Sequence, residues 1–250
     1  MDPLTLVTLA MFAAAVAVYG TMIGAGGGFV LIPGLVLLFG LEGAEAVGTG
    51  ALALAAIGIS GARSYDQAGL IDRPAAGRFG LGSVPVAFVC GTVLAGAIDA
   101  EVMVDLLGLL LLALAGFVVF LPTRYDASEE PGPSSLRWMP LGGVGVGVLS
   151  GTFAIGGGLV TLPLVARLRR LTPHRAAATT SATAMMSSVA SSLGHTVAGN
   201  VVWSYVLVLV PFALGGAALG AAQAERVPPR AVLGLVAVGL VAAGAPLLLR

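Results

Sequence analysis

The stretch GGGFVLIP at residues 26–33 decides the fold, because it returns as GGGLVTLP at residues 156–163. In both copies, four residues separate three consecutive glycines from a proline. Each glycine costs a helix about 1 kcal/mol relative to alanine and permits positive φ. Each cluster therefore predicts a broken helix or a tight hairpin. The apolar segment after each cluster, 29–40 or 159–168, is too short to cross a membrane alone.

The two glycine clusters belong to a longer internal duplication with an offset of 130 residues. Thr49 falls on Thr179, and Ala68-Gly69 falls on Ala198-Gly199. The sequence therefore predicts two halves of one integrated membrane domain. The first half is 1–125, the second is 135–250, and a polar linker at 126–134 joins them.

The composition places the chain in a lipid bilayer. Of its 250 residues, 58% are hydrophobic and only 10% are charged, and the mean hydropathy is +1.02. A soluble domain of this size needs roughly a quarter of its residues charged. We therefore predict an all-α polytopic membrane protein of two inverted-topology repeats. Each repeat has about four long transmembrane helices and one short helix after a Gly-rich break. The predicted apolar segments are 4–23, 29–40, 44–62, 75–98, 101–121, 138–155, 159–168, 175–198, 201–222 and 231–249.

The charged residues predict the orientation. An odd number of crossings in each half inverts the second half relative to the first. Because cytoplasmic loops are enriched in Lys and Arg, the arginine-bearing loops are predicted inside and the acidic ones outside. The predicted inner loops are 63–78, 122–137, 167–175 and 225–230, and the outer ones are 41–45, 99–101 and 198–200. We expect a multi-pass protein of the cell (plasma) membrane with both termini extracytoplasmic and a cytoplasmic linker. The start Met1-Asp2-Pro3 has no basic region, which favours a first span over a cleaved signal peptide.

The glycine breaks are the first candidate site. A half-helix that begins inside a membrane protein aims unpaired N–H groups, and the positive end of its dipole, at whatever lies before it. Two such ends, near Gly28 and Gly158, predict a clamp for a small anion without a buried basic side chain. The alternative is that the glycines only allow close helix packing.

A polar stripe in the segment 175–198 is the second candidate. Steps of three or four residues keep its members on one helix face: Thr180, Thr183, Ser187, Ser191 and His195. Ser181, Ser188 and Ser192 widen that face. Hydroxyl groups can donate to an anion without placing a permanent charge in lipid. The alternative is that they bond their own helix or hold helices together.

His195 aligns with Tyr65 across the duplication, and each lies four residues before a glycine. An imidazole near a membrane boundary can take up protons and couple them to transport. The alternative is an interfacial, solvated histidine. Cys90 is the only cysteine, so it forms neither an internal disulfide nor a cysteine metal site. We interpret it as a small core residue.

Together these motifs resemble the sulfite exporter TauE/SafE family over about residues 4–249. The resemblance rests on the duplicated glycine–proline motif, on Gly48-Thr49 and Thr179-Thr180-Ser181 opening the next spans, and on YDQAGLID at residues 65–72. It implies the transport of sulfur-containing anions such as sulfite, sulfoacetate and thiosulfate, usually outward. Gly50 departs from the family pattern, in which serine is common. The residues expected to bind substrate, by resemblance or from the stripe, are Gly26, Gly27, Gly28, Phe29, Thr49, Gly156, Gly157, Gly158, Leu159, Thr179, Thr180, Ser181, Ser187 and Ser191.

We therefore interpret the chain as a secondary transporter of small sulfur-containing anions, with protons as the candidate coupling ion. We expect no enzyme activity, no cofactor or metal and no nucleic-acid partner, in a monomer or homodimer. The first alternative is an uncoupled anion channel or a carrier of another small solute. A remote alternative is an intramembrane serine protease, with Ser60 of Gly58-Ile59-Ser60-Gly61 as nucleophile and His195 as base.

Overall fold

The computed structural model describes residues 2–24, 26–120, 136–155, 157–223 and 229–249. Within these ranges the chain is helical and has no β-strand, which confirms the predicted all-α class. The predicted linker at 126–134 lies outside the described residues.

Ten main helices make up the described part of the chain. The first half contains α1 (Pro3–Met22), α2 (Gly28–Leu37), α3 (Gly43–Gln67), α4 (Arg73–Val89) and α5 (Ala100–Phe120). A π-helical turn, Cys90–Leu94, and a short turn, Ala95–Ala97, continue α4. The second half contains α6 (Met139–Phe153), α7 (Gly158–Arg169), α8 (Pro173–Val197), α9 (Trp203–Gln223) and α10 (Pro229–Leu248).

The helix boundaries repeat with the same offset as the sequence. The helix α2 begins at Gly28 and α7 begins at Gly158, 130 positions later in the sequence. The same offset separates the bounds of α3 from those of α8, and the start of α4 from the start of α9. The internal duplication therefore extends from the sequence to the secondary structure.

Several of these helices can cross a bilayer. Five segments are long and apolar enough by length and composition: Pro3–Met22, Gly43–Gln67, Arg73–Leu94, Ala100–Val118 and Trp203–Gln223. Shorter apolar helices accompany them, and α2 has only ten residues. The chain is therefore a multi-pass membrane protein whose long helices are interleaved with short ones.

The helices α3 and α8 end in the same way, and α3 runs five residues beyond the predicted apolar stretch 44–62. Gly69 and Gly199 have positive φ angles of 68° and 79°. The N–H after each glycine bonds to the carbonyl of Tyr65 or His195. Such a helix end needs a left-handed residue, which glycine supplies without strain. Hydropathy locates only the apolar part of a helix, whereas these glycines mark where it stops.

Helices of one half pack against helices of the other half in equivalent pairs. The helix α1 packs along α9 and α4 packs along α6, while α3 contacts α9 and α4 contacts α8. Small residues allow these close approaches: a methyl group on Gly82 would collide with the carbonyl of Pro140, and one on Gly216 with that of Ala14. Each pairing becomes another of the set when the halves are swapped, which is the pattern that a pseudo-twofold axis between the halves would produce.

At the centre, α3 and α8 lie side by side and run in opposite directions. A methyl group on Gly48 would touch Asn200, one on Gly58 would touch Met185, and one on Gly61 would approach Ser181. The partner numbers fall as the α3 numbers rise, so the two helices are antiparallel.

The charged loops gather at opposite ends of the molecule. At one end, which we call the arginine-rich end, Arg169 at the end of α7 pairs with Asp72 before α4. At the other, which we call the acidic end, Glu42, Asp99 and Glu101 line one open pocket. Two loops that are predicted inside thus contact each other, and so do two loops that are predicted outside.

Candidate functional site at the glycine breaks

Both short helices begin at a left-handed glycine. Gly27 and Gly157 have φ angles of 81° and 62°, a conformation that residues with side chains rarely adopt. The carbonyl of each accepts the N–H groups three and four residues later, at 2.9–3.1 Å. Gly26 also has positive φ, at 79°, whereas Gly156 lies outside the described residues. The glycine clusters are therefore helix breaks.

The two breaks meet at the centre of the molecule. A methyl group on Gly28 would lie 2.6 Å from the carbonyl oxygen of Ala154 and 2.8 Å from Leu54. Leu54 lies near the middle of α3 (Gly43–Gln67), and Ala154 directly follows α6. The first break therefore lies halfway along the central helices, against the chain that leads into the second break.

A small cavity lies beside the first break. The space open to the centres of water molecules is about 10 Å³, which is room for about one water. Its lining is uncharged: Thr21, Gly26, Leu54, Ile57, Gly58, Gly61, Ser181, Ala184 and Ser188. No heavy atom lies within 4 Å of where a methyl group on Gly26 would be, so this glycine leaves the space open.

Thr21, at the end of α1, is the polar residue of this cavity that sequence reasoning missed. It is 2% exposed, and its hydroxyl has no hydrogen-bond partner among the described residues. The duplication gave no signal for it, because the residue 130 positions later is Gly151. Thr5 and Thr8 lie in the same apolar span and no sequence pattern distinguishes Thr21 from them, so only the cavity identifies it.

The predicted polar stripe is buried, but its members have different partners. Thr183 and Ser187 donate to carbonyls of their own helix, and Ser191 donates to the carbonyl of Ser150 on α6. Thr180 is fully buried, and its hydroxyl has no partner in the described ranges. Of the stripe and the serines beside it, Ser181 and Ser188 line the cavity. The alternative of bonding within the helix therefore accounts for Thr183 and Ser187.

The two threonines that open the central helices tie the halves together. Thr49 accepts the backbone N–H of Val202 at 3.0 Å. Thr179 accepts the N–H of Asp72 at 3.0 Å and donates to the carbonyl of Arg175. Both are fully buried, and neither lines the cavity at the first break.

Tyr65 and His195 also make equivalent contacts. The Tyr65 hydroxyl donates to the carbonyl of Thr21 at 3.2 Å, and Nε2 of His195 lies 2.9 Å from the carbonyl of Gly151. A carbonyl only accepts, so Nε2 carries the hydrogen, and Nδ1 faces the side-chain amide of Asn200 at 3.5 Å. Both side chains are buried. The alternative of a solvated, interfacial His195 is therefore wrong, because α6 covers the imidazole.

Phe29 lies away from the cavity. It is fully buried, and its ring centroid lies 6.0 Å from that of Tyr19 on α1. A methyl group on Gly239 of α10 would lie 2.9 Å from the same ring. Phe29 therefore anchors the short helix α2 between α1 and α10. The side chain of its counterpart, Leu159, lies outside the described part.

A buried ion pair joins the two halves at the arginine-rich end. The Nε of Arg169 donates to Oδ2 of Asp72 at 2.8 Å, and their side chains are 6% and 3% exposed. Oδ1 of Asp72 accepts the N–H of Ala75 and so caps α4. The pseudo-symmetric positions are Phe39 and Val202. The ion pair therefore has no charged counterpart at the equivalent positions.

The structure does not assemble the protease pair. Ser60 donates to the carbonyl of Leu214, and it lies near Ser181, because Gly61 faces that residue. His195 is a further fourteen residues along α8, roughly 20 Å at 1.5 Å per residue. The two side chains are thus too far apart to act as nucleophile and base. Among the described residues, no group of three His, Cys, Asp or Glu side chains could hold a metal ion.

Comparison with known proteins identifies the family. The sulfite exporter TauE/SafE family model matches residues 9–247. The chain is 26% identical to the Probable membrane transporter protein YunE of Bacillus subtilis (strain 168), over 99% of this chain and 98% of that protein. It is also 26% identical to the Probable membrane transporter protein MJ0441 of Methanocaldococcus jannaschii, over 80% of this chain and 76% of that protein. No solved structure matches. With the glycine breaks and apolar helices described above, the chain belongs to the sulfite exporter TauE/SafE family of membrane transporters.

Proposed function

We propose that this chain is a secondary transporter that carries small sulfur-containing anions, such as sulfite, thiosulfate or sulfonates, out of the cell. The observation that carries the proposal is the position of the first break. There the half-helix α2 begins halfway along α3, beside a cavity that contains the Thr21 hydroxyl, which has no partner among the residues that the structure describes.

The electrostatics at the break favour an anion. A helix N-terminus presents roughly +0.5 of an elementary charge, and the cavity lining contains no carboxylate to oppose it. Asp72, an acidic residue near the cavity's arginine-rich side, is paired with Arg169. A cation would find no counter-charge among the lining residues, whereas an oxyanion would meet hydroxyl donors.

The arrangement of the helices supports an inverted topology. The equivalent helices α3 and α8 are antiparallel, as expected when the second repeat crosses the membrane in the opposite sense. The bias of cytoplasmic loops toward arginine orients the arginine-rich end inward. Both termini are then extracytoplasmic in the plasma membrane.

The residues divide by role in this proposal. Thr21, Ser181 and Ser188 contact the anion, and the glycines of both breaks leave room for it. Thr49 and Thr179 hold the halves in register. His195 and Tyr65 are the candidates for proton coupling, because each bonds the end of the helix that leads into a break.

Flux through proteoliposomes tests the proposal. Vesicles loaded with labelled sulfite or a labelled sulfonate should release it faster with the protein than without. Gly61→Ala places a methyl group 3.2 Å from Thr21 in the cavity and should lower this flux, although alanine favours the helix. Gly145→Ala, in open space on α6, is the matched control and should keep it. Absence of oxyanion flux from the unaltered protein would refute the proposal.

A further inference from the structure

We infer that the cavity at the first break is a one-sided site for a singly charged oxyanion, and that Thr21 is its principal donor. The inference rests on the proposed function and narrows its ligands to those with one negative charge, such as sulfonates and hydrogen sulfite, which excludes thiosulfate. It also names a residue that lies outside the duplicated motif.

The site is one-sided because its hydroxyls have no counterparts across the pseudo-twofold axis. Thr21, Ser181 and Ser188 correspond, 130 positions away, to Gly151, Ala51 and Gly58. None of these three has a hydroxyl group. These three donors are therefore not repeated on the other side of the axis, where the buried hydroxyls are those of Ser150 and Thr152, one position to either side of Gly151. Ser181 is two residues from Thr179, which bonds to Asp72, so the site lies toward the arginine-rich end.

Thr21 is held in a position to donate. Its carbonyl accepts the hydroxyl of Tyr65 at 3.2 Å, which fixes the backbone at the end of α1. Its own hydroxyl remains unpartnered in the described part of the chain, although the residue is 2% exposed. An unsatisfied buried hydroxyl destabilises a fold. A ligand, or the water it displaces, supplies the missing partner.

Because the cavity lining carries no charge, the site favours a ligand with a single negative charge over one with two. The electrostatic cost of removing an ion from water grows with the square of its charge, and buried charges need compensation. The lining residues offer hydroxyls but no guanidinium group, and the short helix α2 begins two residues after Gly26. One helix end compensates about half a charge, which is far less than a dianion requires.

The cavity as it stands holds about one water molecule. An oxyanion is larger, so binding requires the lining residues to move apart. Gly26, Gly58 and Gly61 contribute no side chains to the lining, so fewer side chains have to be displaced.

Calorimetric titration of the purified protein tests the inference with two sulfur oxyanions that differ in charge. At pH 7.5 and matched ionic strength, methanesulfonate (−1) should bind at least about tenfold tighter than sulfate (−2). Thr21→Val keeps the shape of the side chain but removes the donor, and should weaken methanesulfonate binding about 10- to 100-fold. Thr21→Ser should restore most of the affinity. Thr152→Val is the matched control, since Thr152 is equally buried at the end of α6, and should bind as the unaltered protein does.

Each outcome has one meaning. Equal affinities of Thr21→Val and the unaltered protein would refute the role of Thr21 and leave the proposed function standing. Tighter binding of sulfate than of methanesulfonate would refute the charge selection. If the unaltered protein binds and transports no oxyanion, the proposed function itself fails. Should Thr21→Val not fold, Ser181→Ala carries the test: weaker methanesulfonate binding supports the site, and unchanged binding refutes it.

Discussion

Thr49 and Thr179 make the same hydrogen bond from opposite halves of the molecule. Each hydroxyl accepts a backbone N–H from the other half, Thr49 from Val202 and Thr179 from Asp72, at 3.0 Å in both cases. Both acceptors and both donors are 130 positions apart. Each bond attaches the start of one helix, α9 or α4, to a central helix of the other half. The two halves are therefore interlocked at both ends.

We expect both threonines to be more important for stability than for binding. Thr49→Val and Thr179→Val each leave an N–H without its partner, which should cost about 1–3 kcal/mol. The cost should be larger at Thr179, where the bond is buried. Thermal unfolding in detergent measures this, and Thr49→Ser and Thr179→Ser should retain most of the stability. Normal melting with lost anion binding in both valine variants would instead make the hydroxyls ligands.

The buried ion pair should be far more important than the exposed one beside it. Asp72→Asn preserves the helix cap but leaves Arg169 buried without its counter-charge, which should cost about 3–5 kcal/mol. Asp66→Asn is the matched control. This substitution breaks the ion pair between Asp66 and Arg73, whose side chains are 45% and 76% exposed, respectively. It should lower the free energy of unfolding by at most about 1 kcal/mol. Melting temperatures that fall equally in the two variants would contradict this order.

His195 should determine how anion flux responds to a proton gradient. Gln in its place keeps an N–H donor for the carbonyl of Gly151 but does not titrate. Proteoliposomes containing His195→Gln should therefore transport with a rate independent of the gradient. Tyr65→Phe, which removes the equivalent bond to Thr21, tests the second candidate: the gradient dependence should persist in it if His195 alone carries the proton. If the His195→Gln flux still follows the gradient, another group carries the proton.

The orientation can be tested by labelling single cysteines in a Cys90→Ala background. Glu42→Cys and Ala198→Cys lie at the acidic end and are exposed, so an impermeant thiol reagent should label them from outside intact cells. Arg170→Cys, exposed at the arginine-rich end, should react only after the cells are opened. Labelling of Glu42→Cys and Arg170→Cys from the same side would refute the inverted topology.

The sequence predicted those features that depend on local chemistry. Consecutive glycines permit the positive φ of Gly27 and Gly157 and destabilise a continuous helix. The sequence alone therefore predicts the breaks. Repeated Thr49 and Thr179, and repeated Ala-Gly pairs at 68–69 and 198–199, mark equivalent positions. The helical class followed from the apolar composition, because a bilayer leaves the backbone few ways to satisfy its hydrogen bonds.

Only the tertiary structure decided which polar groups face the cavity and which hold the helices together. Thr21 is one of three threonines in an apolar span and follows no pattern, whereas Ser187 belongs to a regular polar stripe, yet Thr21 lines the cavity and Ser187 bonds its own helix. Periodicity tells which residues share a face of one helix, but the neighbouring helices determine what that face contacts. The pairing of Asp72 with Arg169, 97 positions apart, likewise depends on how the two halves pack, and no local pattern encodes it.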